Sequence, residues 1–192
     1  MTEEIKFNEQ VKAATTEKHK KLEEAELSKV MMSPALTVAA YNEYLQRMYS
    51  FISLFEEKYY DKLAAVVQDV NDRKKAATMV NDIKATGTLK ESSKPAKWFS
   101  GTESTGFLLG AMYVIEGSTL GGRFLYGNAN KVLGLNEING ASYFAAYGSE
   151  TGTRWKTFLA ALNNYAAAHP GEQQDIIAGA NFTFDAFYDV LK

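Results

Sequence analysis

Residues 106–127, GFLLGAMYVIEGSTLGGRFLYG, constrain the fold more than any other stretch. Read as a helix at about 100° per residue, they place Gly106, Gly110, Gly117 and Gly121 within about a 60° band of one face. Glycine inside a helix costs about 0.5–1 kcal/mol relative to alanine. Four on one stripe therefore imply that something approaches that backbone closely. Two partners meet the requirement: a second helix packed tightly against it, or a flat ligand lying on bare backbone. Gly121-Gly122, following Gly117, also loosens the helix and predicts a kink.

The rest of the chain reads as helices. Its three prolines, at 34, 95 and 170, all fall in expected connections, leaving long stretches free of breakers. The spacing predicts helices over Lys6–Leu27, Thr37–Leu63 and Val70–Ile83, the last ending before Gly87. Residues 92–101 read as a loop, and the glycine-striped helix begins near Ser104 or Thr105, both adequate N-caps. A short piece at Lys131–Leu133 follows, then helices over Thr151–Ala168 and Gln173–Leu191. Strand alternation, internal repeats and low-complexity segments are not evident. The expected class is all-α, in one domain spanning 1–192.

Composition excludes several function classes. The net charge of −2 favours no general nucleic-acid partner. With no cysteine, disulfides, thiolate zinc sites and cysteine nucleophiles are ruled out, which fits a reducing cytoplasm. No apolar run approaches a membrane span, and MTEEIKFNEQ resembles no signal peptide, so the expectation is a cytoplasmic protein without an anchor.

His19 is one of two histidines. With His19 at zero on the wheel, Lys12 falls at about 20°, Thr15 at about −40°, Thr16 at about 60° and Glu23 at about 40°. A ligating imidazole needs an acceptor to fix its tautomer, and Glu23, at i+4, is placed to be one. Lys12, two turns away and about 10 Å along the axis, could reach an acidic group at the edge of a large ligand. The same residues also describe a surface His–Glu pair on a charged face. His169, before Pro170, reads as favourable charge at a helix C-terminus. A di-iron bundle would need Glu-x-x-His pairs; Thr16 and Ala166 stand where the glutamates would be. Glu116–Leu120 lacks the spacing of a nucleophile elbow, and no lysine follows the glycines in Walker spacing.

Two segments in combination resemble one family. VKAATTEKHKKLEE (Val11–Glu24) is similar to the proximal-helix motif of haem (heme) oxygenases, where a leucine- or valine-lysine pair leads through Ala-Thr to the iron-binding histidine. AMYVIEGSTLGGRFL (Ala111–Leu125) is similar to the distal helix of that family, in the form found in bacterial, biliverdin-producing members.

The resemblance implies a single-domain helical fold with haem b held between a proximal and a kinked distal helix. It makes His19 the iron ligand, Glu23 the partner of that histidine, and Thr15 and Lys12 neighbours of the haem and its propionates. Gly117, Ser118 and Gly121 become the catalytic distal wall, extended by Gly122. Lys156 resembles a second propionate-binding lysine, and Phe184 and Phe187 resemble pocket aromatics of the last helix. Tyr113 fits either a haem edge or the core. Two departures stand out: Ser118 occupies the place of an aspartate found in animal members, and Ala160 that of an arginine one turn after the propionate lysine.

The implied activity is oxidative cleavage of haem at a meso carbon to biliverdin, carbon monoxide and ferrous iron. Haem is both substrate and cofactor, dioxygen the oxidant, and electrons come from a separate ferredoxin or NAD(P)H-dependent reductase, docking at a rim that includes Lys12 and Lys156. A bilin-binding photoreceptor is a possible downstream recipient. A haem carrier without turnover on the same fold is the second expectation, motivated by Ser118 and Ala160. A helical relative of the thiamine-degrading type, which would use no haem, is a more distant third.

Overall fold

The structure, a computed structural model, describes residues 6–91 and 95–192. Residues 92–94 of the predicted loop, and the first five of the segment tested for a signal peptide, lie outside them. Eight α-helices follow in order: α1 (Phe7–Glu23), α2 (Glu26–Met31), α3 (Val38–Leu63), α4 (Ala76–Thr86), α5 (Thr105–Leu133), α6 (Ser142–Ala145), α7 (Thr151–Ala168) and α8 (Gln173–Leu191). Single 3-10 turns occupy Val70–Arg73, Gly148–Glu150 and Pro170–Glu172. There is no strand among the described residues, and no helix is long and apolar enough to cross a membrane.

Sequence signals explain most boundaries. Thr37 caps α3, its hydroxyl accepting from the Ala40 amide at 3.2 Å. Ser104 caps α5 in the same way at 3.1 Å. Gly134 ends α5 at φ +72°, a left-handed conformation that glycine adopts at no steric cost. Three expectations need correction. The first helix stops at Glu23, because Ala25 turns out of helical conformation to bury itself, and α2 starts anew. The expected Val70–Ile83 helix breaks at Lys74, whose extended backbone lets Arg73 and Lys75 both turn inward. Lys131–Leu133 is the last turn of α5, not a separate piece.

An aromatic cluster forms the centre of the core. Phe51 of α3 meets Phe187 of α8 edge-on at 5.1 Å, Trp98 at 5.0 Å and Phe99 at 5.7 Å. The helix α5 stays α-helical through Gly117–Gly122. Its first half crosses α8 backbone to backbone: a Cβ on Gly110 would lie 1.9 Å from the Ile176 carbonyl oxygen, and one on Gly179 would lie 1.9 Å from that of Phe107. Beyond this crossing α8 turns its side chains to α1 and α3, through His19–Phe184, Lys18–Asp185 and Phe51–Phe187. Near its far end, α5 is tied to the α2–α3 connection, where the Asn128 amide donates to the carbonyls of Met31 and Ser33 at 2.8 and 2.9 Å.

Candidate functional site

The two halves of the glycine stripe have different neighbours. Gly106 and Gly110 face Glu172 and Ile176, so their bare backbone serves helix packing. A Cβ on Gly117 would make ordinary contact with the Trp155 indole at 3.5 Å, and one on Gly121 would meet nothing within 4 Å. The packing reading therefore holds for the first half of the stripe; in the second half Gly117 lies under Trp155 and Gly121 opens to space. Gly122 points elsewhere: it is buried against Phe144.

His19 is held by its flanks. Lys18 pairs with Asp185 of α8 at 2.6 Å, and Lys97 meets the other oxygen of that carboxylate at 3.1 Å. Burial raises the Asp185 pKa, but the hydrogen bonds from Lys18 and Lys97 outweigh it and hold the carboxyl below its usual range. Lys21 lies 4.3 Å over the Tyr188 ring. Between these contacts the His19 ring meets Phe184 edge-on at 5.6 Å. Its side chain remains 59% exposed, with Nδ1 3.6 Å from Glu23 Oε1. That distance suits a loose pair rather than a direct hydrogen bond. Nε2 makes no hydrogen bond among the described residues.

Other residues suggested by the sequence are placed as follows. Thr15 is buried and its hydroxyl donates to the Val11 carbonyl at 2.9 Å, so it shapes α1 rather than offering a free donor. Lys12 is exposed on α1. Lys156 is exposed on the stripe of α7 that carries Asn163, two turns away; Asn163 binds Asn8 of α1 through two 2.8 Å hydrogen bonds. Tyr113 packs on Trp155 at 5.3 Å, and its pKa is raised by burial and then by Glu9 of α1. Ser118 donates to the Ile115 carbonyl at 2.7 Å. Phe184 lies at His19, whereas Phe187 belongs to the aromatic core. Ala160 borders a separate cleft of about 840 Å³ with Tyr165 and His169. His169 caps α7, its ring stacked on Tyr165 at 4.1 Å.

Two features escaped the sequence reading. Trp155, next to Lys156, covers Gly117 and packs on Tyr113. Behind α5 lies a buried ionic cluster. Arg73 is fully buried, forks onto Asp69 at 2.8 and 2.9 Å and donates to Glu116 at 2.6 Å. Lys75 also donates to Glu116, to the Arg73 carbonyl and to the Tyr147 hydroxyl. Tyr147 in turn lies 3.1 Å from both Glu116 oxygens, and Arg154 joins through Asp69 at 3.1 Å. Burial, then Glu116, pushes the Tyr147 pKa far up. In sequence these residues look like scattered surface charges, because pairing across 43 positions has no local signature.

No group of three or more His, Asp or Glu side chains converges to hold a metal among the described residues. A lone exposed imidazole such as His19 fits an iron whose remaining ligands come from a porphyrin and not from the chain. On α5 the bare, open backbone at Gly121 leaves room for a flat ring to lie close, with Trp155 and Tyr113 packed beside neighbouring Gly117.

The comparisons with known proteins decide the family. A family model described as Heme oxygenase matches residues 5–192. The chain belongs to the heme oxygenase family. Structures of heme oxygenases carry the same all-α fold. The Neisseria meningitidis enzyme, solved with NO and CO bound, is 25% identical at a TM-score of 0.79, covering 97% of this chain and 90% of that one. The Leptospira interrogans enzyme is 19% identical at 0.83, covering 97% and 98%. Heme oxygenase-1 of Synechocystis sp. PCC6803, in complex with heme, is 16% identical at 0.78, covering 97% and 91%. A comparison with curated protein sequences gave no match. Membership makes the chain one of an oxidoreductase family acting on haem, with the expected all-α architecture.

Proposed function

We propose that this heme oxygenase family member opens haem at a meso carbon, giving biliverdin, carbon monoxide and ferrous iron. Dioxygen is the oxidant, and a separate ferredoxin or NAD(P)H-dependent reductase supplies the electrons. The observation that carries the reading is an exposed His19, set between the anchored Lys18 and Lys21, in a chain whose α5 backbone is bare and open at Gly121. Haem supplies the iron that binds and activates oxygen; the chain supplies the rest. His19 would ligate through Nε2, with Glu23, 3.6 Å from Nδ1, orienting its ring through water. Gly121 lets the distal wall come close without a side chain in the way, beside Trp155 and Tyr113. Lys12 and Lys156, both exposed, bind the propionates and form the rim where the electron donor docks. Gly117 and Ser118 complete the distal wall, and Thr15, Gly122 and Phe187 support the site from beneath.

One observation favours a second reading, a haem carrier without turnover. The Ser118 hydroxyl is already committed to the Ile115 carbonyl, so it leaves no donor for distal water. One optical experiment separates the two. Purified protein mixed with haem should give a sharp Soret band, which ascorbate in air should convert to the broad red absorbance of a bile pigment. A Soret band that persists under those conditions supports the carrier, and no specific Soret band refutes both.

A further inference from the structure

Glu116 stands one residue before Gly117 with its carboxylate in the buried cluster behind α5, 1% exposed. Three donors from two segments converge on it: Arg73 and Lys75 from the connection before α4, and Tyr147 from that before α7. Every ammonium proton of Lys75 has an acceptor. Such a cluster is a poor device for stability alone, since apolar residues of similar volume often hold a core as well or better. Its particular property is direction. Packing of apolar side chains tolerates a small rotation of a helix, whereas a carboxylate bonded from three sides does not. On the same turn the Ser118 and Thr119 hydroxyls donate to the Ile115 and Glu116 carbonyls at 2.7 and 2.6 Å, a back-bonding pattern that bends helices. The backbone is thus compliant where the carboxylate is fixed.

We propose that Glu116 is a positioning residue: held by Arg73, Lys75 and Tyr147, it sets the rotation of α5 and thereby the stand-off of the Gly117–Gly121 backbone from the haem face. This inference rests on the haem-cleaving reading above. A rotation of α5 by about 20° moves a Cα on its roughly 2.3 Å radius by about 0.8 Å. Displacement on that scale at a reacting centre costs up to about a hundredfold in rate.

The test compares Glu116→Gln and Glu116→Leu with the unaltered protein, first without haem. Hydrogen exchange of the 117–122 amides should quicken about tenfold, while the 108–112 amides, locked by the Gly110–Gly179 crossing, stay unchanged. Equal acceleration in both segments, or none, overturns the proposal. With haem added, turnover should fall about ten- to a hundredfold, with haem affinity within about threefold and the ferric Soret maximum shifted. Glutamine, which keeps an acceptor, should lose less than leucine. Unchanged turnover per folded molecule also overturns it. Should both variants fail to fold, Tyr147→Phe removes no charge, only the hydroxyl that donates to Glu116 and accepts from Lys75, and should show the same pattern at smaller amplitude. If the unaltered protein binds no haem, the functional reading fails, and the exchange result still decides whether Glu116 fixes α5.

Discussion

Gly110 and Gly121 share a stripe of one helix, yet alanine at the two positions should move stability in opposite directions. At Gly110 the new Cβ would fall 1.9 Å from the Ile176 carbonyl oxygen, a clash with backbone that cannot rotate away. The expected cost is about 3 kcal/mol. At Gly121 nothing lies within 4 Å, so Gly121→Ala should stabilise the haem-free protein by about 0.5–1 kcal/mol through helix propensity. Thermal unfolding without haem checks both. The same Gly121→Ala should slow haem degradation, and Gly121→Leu should stop it; undiminished turnover in Gly121→Leu would refute close approach at this wall. His19→Ala should remove the axial imidazole signature from the ferric spectrum. The sequence located the stripe but could not divide it, because the division depends on where α8 crosses.

The Lys18–Asp185–Lys97 bridge anchors α1 to the rest of the structure, and its response to acid follows from the depressed Asp185 pKa. A carboxyl whose folded-state pKa lies below its unfolded value of about 3.9 contributes stability above that value. The contribution is lost as pH falls through the folded-state pKa. Haem retention should therefore weaken below about pH 4, and Asp185→Asn should weaken it already at neutral pH; a Soret titration against pH measures both. Helix identity is largely legible: the expected helices over Thr151–Ala168 and from about Gln173 to Leu191 are present, since His169-Pro170-Gly171 punctuates the chain between them. The segment from Val70 departs from its apolar spacing because Arg73 and Lys75, drawn to Glu116, break the helix.

At the scale of the whole molecule, the ionic cluster joins the turn at Val70–Arg73, the middle of α5 and the start of α7. Arg73→Ala would leave Asp69 and Glu116 without their shared cation. Lys75 would still hold Glu116 and Arg154 Asp69, so the cost should be about 3 kcal/mol, the low end for breaking a buried pair, still a large part of a usual stability of about 5–15 kcal/mol. Denaturant unfolding should show the midpoint falling with little change in slope. Sequence alone could not assemble this cluster, whose members matter only once the fold has brought them together. Glu116 and the Asn128 amide, the latter bonded to Met31 and Ser33, fix α5 at two points. Between them the helix is a beam clamped at both supports, and such a beam does not swing like a gate. At midspan it rests on a third prop, since Gly122 lies against Phe144, while Gly121 beside it meets nothing within 4 Å. A flat guest arriving on the Gly121 side would press on a girder already braced from beneath, so the fit would have to come from the guest's other wall and not from this one.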